Sequence, residues 1–312
     1  MKKTTGILAL VMVVALAACK NDMSFQKTKG GMPYKIFPSK EGKQLKVGEF
    51  VKVNVIRRVN DSVTFDSHGK MPLYFPVDSV GTPYDASEII YKLKVGDSLV
   101  AVQLIDTFMK RYPGQVPPQY KKGDRLFTIY TILGVLPEKA SMEDYQKEKS
   151  NFLAGEILQV ANWLAKNNIK AERTGKGTFV EIQNPGTGAA IDSGKYITLN
   201  YTGSTFSGKV FDSNEIDSFG HNKQPLAFTV NVQPMGVRGF EEGVKLFKKG
   251  GKGRLFIPSM LAYGDRPPQG ASIKPYEHLI FEIEVLDVQD KQPETNKPGM
   301  PQNKIDTTQR RK

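Results

Sequence analysis

The chain has 312 residues, enough for two modest domains with cores of their own. Its net charge of +12 raises nucleic acid as a partner, but the lysines are scattered along amphipathic segments. That pattern excludes a nucleic-acid stripe and favours a solvated basic surface near anionic membrane or cell-wall polymers. A single cysteine excludes a disulfide framework, and the three histidines lie too far apart in sequence for metal-ligand spacing. The sequence contains no phosphate loop or nucleophile triad, and nothing in it asks for a cofactor.

In chain order, Lys2 and Lys3 precede an uncharged apolar run from Ile7 to Ala18. The run is too short to span a bilayer as a stable helix and has the layout of an export signal. It ends Leu16-Ala17-Ala18-Cys19, which resembles the lipobox of bacterial lipoproteins. Residues 1–18 are therefore expected to be a lipoprotein signal peptide, with Cys19 as the lipidation site. The mature chain is expected in the cell envelope, anchored at an outer membrane and facing the periplasm or the surface. Residues 19–32 read as a lipidated tether.

Two sheet-rich segments follow, 33–137 and 173–289. Laid over 194–213 without gaps, residues 48–67 match Gly48 to Gly194 and Asn54 to Asn200. The same register places Phe65-Asp66-Ser67 on Phe211-Asp212-Ser213, and Val51, Val53 and Val55 on Ile197, Leu199 and Tyr201. Further on, Glu88, Ile90, Leu93 and Gly96 fall where Glu242, Val244, Phe247 and Gly250 sit, and 126–135 corresponds to 279–288. Period-2 apolar runs between Gly and Asp turns predict antiparallel strands in both copies. Between them, 138–172 reads as a connecting helix: Ser141 offers a cap, and Tyr145, Phe152, Ile157, Val160, Ala161 and Leu164 recur at helical spacing. It would be about 40 Å long. Packing on its own two domains is the favoured reading, with a homodimerising stalk through 141–167 as the alternative. The stretch 290–312, rich in Gln, Pro, Asn and Lys, is expected to be a disordered basic tail.

Five blocks in the second copy carry a resemblance. They are Ile197–Gly203, Gly208–Ser213, Val237–Val244, Ile257–Gly264 and Leu279–Ile283. Their order and content resemble the FKBP-type peptidyl-prolyl cis/trans isomerases. The resemblance implies an α+β fold: two FKBP-like domains, each a curved antiparallel sheet wrapped on a short helix, joined by the long helix. It implies isomerisation of X-Pro bonds in proline-containing exported polypeptides. The alternative is a non-catalytic chaperone, or an assembly factor of an envelope machine, using such domains to bind.

Prolyl isomerisation forms no covalent intermediate. Its barrier of about 18–20 kcal/mol is the loss of amide resonance. A site that lowers it removes water from the carbonyl and holds the twisted amide by shape and a few polar contacts. By resemblance, Phe240 floors the proline pocket where most members have tryptophan, and Tyr201, Phe211 and Phe281 form its walls. Val237 and Ile273 stand at the rim, and Leu226 replaces a frequent phenylalanine. The Val237 N–H and the Tyr263 hydroxyl would meet substrate carbonyls, and Asp212, beside Tyr201, would be the buried polar group facing the amide. The first copy has Val55, Ala86 and Met109 where the second has Tyr201, Phe240 and Tyr263, so no activity is expected there. The segment 213–224, holding His221, is longer than the family pattern and is expected to overhang the pocket.

Overall fold

The computed structural model describes residues 25–293 apart from 80, 222, 233–235 and 269. The expected signal peptide, Cys19 and residues 294–312 of the tail lie outside the described residues. The chain divides into two compact units, Met1–Tyr145 and Gln146–Lys312.

In the first unit, strands β1 (Gln26–Lys27), β2 (Pro33–Phe37), β3 (Phe50–Val59), β4 (Ser62–Asp66) and β5 (Leu73–Pro76) precede the one-turn helix α1 (Ser87–Ile90). Strand β6 (Ser98–Leu104), helix α2 (Ile105–Arg111) and β7 (Arg125–Leu136) complete it. The antiparallel sheet runs β1-β2-β6-β7-β3-β4, and β5 also pairs with β3. Strand β3 turns Val51, Val53 and Val55 inward, where they pack with Ile89, Ile90 and Leu93. This is the alternation a strand with one wet face requires.

Helix α3 (Glu138–Lys166) follows. It starts three residues before the expected cap. Pro137 lies just outside, where its missing N–H costs nothing, and the Ser141 hydroxyl donates back to the Glu138 carbonyl at 2.6 Å. Among the described residues no helix is long and apolar enough to cross a membrane.

The second unit contains β8 (Glu172–Arg173), β9 (Phe179–Asn184), β10 (Tyr196–Thr205), β11 (Val210–Ser213) and β12 (Leu226–Thr229). Helix α4 (Arg238–Val244), β13 (Lys252–Ile257) and β14 (Leu279–Gln289) follow. Its sheet order, β8-β9-β13-β14-β10-β11 with β12 on β10, repeats that of the first unit strand for strand. The register irregularities of the central strands β3 and β10 repeat as well. They fall at Lys52/Val53 and Arg57/Arg58 in β3, and at Thr198/Leu199 and Gly203/Ser204 in β10. Two matched pairs of bulges make the duplication a property of the backbone.

A side-chain clasp is duplicated too. The Thr28 hydroxyl donates to Glu88 at 2.6 Å and the Gly30 N–H donates to the same carboxylate at 2.7 Å. In the second unit Thr174 and the Lys176 N–H donate to Glu242 at 2.9 and 3.1 Å. This corrects the tether expectation for residues 25–32. They form the first hairpin of the repeat, with Thr28 and Met32 buried. The tether reading missed them because only Phe25 and Met32 in this stretch are large and apolar, and its polar groups are satisfied by Glu88 from a distance.

Candidate active site

Strand β10 carries Tyr201 inward between Leu199 and Gly203, and the antiparallel neighbour β11 brings Asp212 beside it. The Tyr201 hydroxyl donates to Asp212 Oδ2 at 2.6 Å. Burial holds the Tyr201 hydroxyl well above the usual tyrosine range, and the Asp212 carboxylate adds to the effect. It therefore stays a donor at any physiological pH.

Phe281, from β14, is the hub of the aromatic cluster. It meets Phe240 edge-on at 5.0 Å and Phe211 at 5.6 Å, and lies 6.2 Å from Tyr201. Edge-to-face geometry places ring hydrogens on a facing π-cloud, the favoured arrangement for such pairs. Phe240 stands on α4, which can lie close to the sheet because position 239 is glycine. A β-carbon there would come within 2.5 Å of Ile257 and 2.6 Å of Thr178. Gly203 plays the same part at the wall, since a β-carbon would stand 2.6 Å from the Phe211 ring.

Val237, Ile273, Phe240, Phe281 and Tyr201 share one buried cluster, and Phe211, Leu226 and Tyr263 pack against it half-buried. The structure thus brings together every residue expected at the site. Val237 is the extended residue before α4, and neither its N–H nor the Tyr263 hydroxyl has a hydrogen-bond partner among the described residues. Burial raises the Tyr263 pKa, and Asp212 raises it further.

One expectation needs correction. Asp212 is not buried: its side chain is 37% exposed, and its second oxygen, Oδ1, lies 2.7 Å from His221 Nε2. The His221 ring also sits 6.3 Å from that of Tyr201. The long segment after β11 therefore touches the site through one imidazole. Nine residues separate the pair, and no local spacing rule announces it. Phe228 was also missed. It lies 6.3 Å from Phe240, buried in the same cluster that Leu226 packs against. Alternation along β12, which turns 226 and 228 the same way, is the signal that finds it.

The tyrosine turn is held from beneath by α3. Buried Glu156 accepts from the Ser259 hydroxyl, and from the Met260 N–H at 2.9 Å. Nδ1 of His278 accepts from the Ser259 N–H at 3.1 Å, and Nε2–H faces Gln159 Oε1 at 3.3 Å. Burial pushes the Glu156 carboxyl up and holds the His278 imidazole down.

The first unit keeps the shell without the site. Val55 pairs with Tyr130 where Tyr201 pairs with Ile283, so the aromatic ring has moved to the opposite strand. Asp66 survives, but its partner is His68, two residues on, at 2.8 Å.

A curved antiparallel sheet wrapped on a short helix, with an aromatic cluster capped by a tyrosine–aspartate pair, defines a fold and site of the prolyl-isomerase type. A family model for FKBP-type peptidyl-prolyl cis-trans isomerases matches residues 188–286. An FK506-binding protein of Neisseria meningitidis serogroup B is 39% identical over 112 residues, covering 36% of this chain and 96% of the relative. The chain belongs to the FKBP-type peptidyl-prolyl cis-trans isomerase family. A probable FKBP-type isomerase of Haemophilus influenzae is 39% identical over 118 residues, covering 38% of this chain. The chain spans about half the length of that relative, 45%. The crystal structure of FkpA from Escherichia coli is 28% identical with a TM-score of 0.36, covering 49% of this chain and 68% of that one.

Proposed function

We propose that the second unit isomerises X-Pro bonds in exported polypeptides at the cell envelope, and that the first unit is a non-catalytic copy. The observation that carries this is the Tyr201–Asp212 pair at 2.6 Å, set beside the Phe211, Phe240 and Phe281 rings. A proline ring entering that cluster leaves water behind, which weakens the hydration that favours the planar amide. The Val237 N–H and the Tyr263 hydroxyl then hold the flanking carbonyls while the C–N bond turns. Asp212, fixed by Tyr201, supplies oriented negative charge at the edge of a low-dielectric cluster, where it acts strongly. Spontaneous isomerisation takes tens to hundreds of seconds, slow enough to limit folding.

A protease-free assay on a short proline peptide tests the reading. Residues 20–312 are expected to speed the exchange well above buffer, and a rate equal to buffer sinks it. A second reading, a chaperone that only binds, is favoured by the first unit's retained sheet and by Phe240 and Leu226, both smaller than the family's usual residues. It predicts suppression of aggregation without turnover. Lipid on Cys19 would hold either activity at the membrane. Cys19→Ala should leave both units folded, since the thiol precedes both sequence repeats, and should release the protein from membranes or stop its processing. Membrane fractionation with the mass of the mature chain reads the outcome, and membrane-bound mutant of normal mass contradicts it.

A further inference from the structure

The two copies differ in what covers the outer face of the sheet, the face turned away from the buried core. In the second unit Phe179, Phe256 and Ile280 on that face lie beneath Val160 and Leu164 of α3, and Trp163 packs on Phe256 at 5.9 Å. In the first unit the place of Ile280 is taken by Phe127. It pairs with Arg58 as Ile280 pairs with Ser204, just past the matched bulge. There the face carries an open groove of about 290 Å³, walled by Phe25, Phe37, Phe127 and Ile129. Phe25 and Phe37 are 42% and 44% exposed. Every residue lining it belongs to a strand, a turn or the chain before β1, and none to a helix.

Among the described residues the repeat accounts for part of this difference: Phe127 matches a residue that α3 covers, whereas Val100 and Ile129 stand where the second unit has the polar pair Arg254 and Glu282. At the offset that aligns the copies, the counterpart of the covering stretch of α3 falls within the expected signal segment. Processing at Cys19 would remove that counterpart. The groove is rimmed by Lys35, Arg58 and Arg125, against one carboxylate, Asp61, which lies 3.8 Å from the Arg58 guanidinium. Arg58 Nε is buried without a hydrogen-bond partner among the described residues. A donor of this kind is costly unless an acceptor arrives.

We propose that this groove is a docking surface for anionic phospholipid. Phe25 and Phe37 enter the acyl boundary, and Lys35, Arg58 and Arg125 meet the phosphates. Exposed aromatics ringed by basic groups suit that interface. Phe25 stands six residues after Cys19, a reach of at most about 20 Å, so lipid on Cys19 would bring this face to the bilayer. The inference uses the anchor only for that distance and is independent of the isomerase reading.

The test uses the unlipidated chain 20–312, which keeps every described residue, with vesicles of phosphatidylcholine alone or with phosphatidylglycerol. Co-sedimentation is expected with the anionic vesicles only. Phe37→Ser should weaken it several-fold, and Arg58→Glu about fivefold or more, given roughly 1 kcal/mol per basic group at such a surface. Phe37→Trp should shift its emission to the blue on binding. Equal binding to neutral vesicles, or binding unchanged in both variants, overturns the proposal. So does a full-length Cys19→Ser chain in which Phe37→Cys resists a thiol reagent while 20–312 binds no vesicles. That result assigns the groove to residues 7–18. A groove that takes up a polypeptide but no vesicle also overturns it.

Discussion

Single side chains at the site are expected to rank by what each supplies. Tyr263→Phe removes one hydroxyl without emptying the core. A hydrogen bond to a neutral group is worth about 0.5–1.5 kcal/mol, so turnover should fall only several-fold. Asp212→Val should cost more, because it removes the charge at the edge of the cluster. His221→Ala should fall between no effect and Asp212→Val, since the carboxylate keeps its bond to Tyr201. Phe240→Ala should hurt most, with a cavity cost of about 3–5 kcal/mol that also lowers stability. Peptide turnover, read beside a denaturant melt for each variant, checks the order, and an Asp212→Val variant as active as wild type breaks it. That Tyr201, Phe211, Asp212, Phe240 and Phe281 would come together was legible because they sit in short blocks whose spacing survives on strands and one helix. His221 was not, because its partnership depends on how an irregular segment folds back, which period and propensity do not encode.

At the scale of elements, α3 couples helix to turn. His278 is held below its usual range by burial and accepts from the Ser259 N–H, so it is neutral in the folded unit. The unfolded chain therefore binds this proton at higher pH than the folded one does. That contribution to stability is present above the unfolded value of about 6.5 and is lost as pH falls through the depressed folded value. Urea midpoints of wild type should fall between about pH 7.5 and pH 5 by more than those of His278→Gln. Parallel pH curves for the two would remove His278 as the cause. The helix itself was legible from its apolar spacing, but its start was not. Ser141 looks like a cap in sequence and proves to be an interior residue bonded to Glu138, because Pro137 had already set the boundary. Glu156 was also hidden. A carboxylate on a mostly polar helix reads as solvent-facing until Ser259 and Met260 arrive from more than a hundred residues away.

For the whole molecule, the division of labour between copies is the consequence to check. Asp66→Val in the first unit should leave turnover untouched, since Val55, Ala86 and Met109 stand there in place of Tyr201, Phe240 and Tyr263. Loss of activity in a folded Asp66→Val chain would move the active unit. The duplication was legible from Phe-Asp-Ser in register, and the structure extends it to Leu73 and Phe75, which pair with β3 as Leu226 and Phe228 pair with β10. The short first hairpin at 26–32 escaped because two-residue strands carry no periodicity.

The twin clasps of Thr28 on Glu88 and Thr174 on Glu242 bear on how the chain is assembled. Each copy holds its own leading hairpin by the same kind of contact, a threonine and a backbone N–H on one glutamate, so the two docking places are chemically alike. A nascent chain avoids this ambiguity by order of synthesis: the first sheet can close on its own hairpin before the second has emerged. Refolding from denaturant removes that order, and both hairpins then compete for both sheets. The protein should therefore refold from dilute denaturant with a trapped, strand-exchanged fraction that folding during synthesis does not produce.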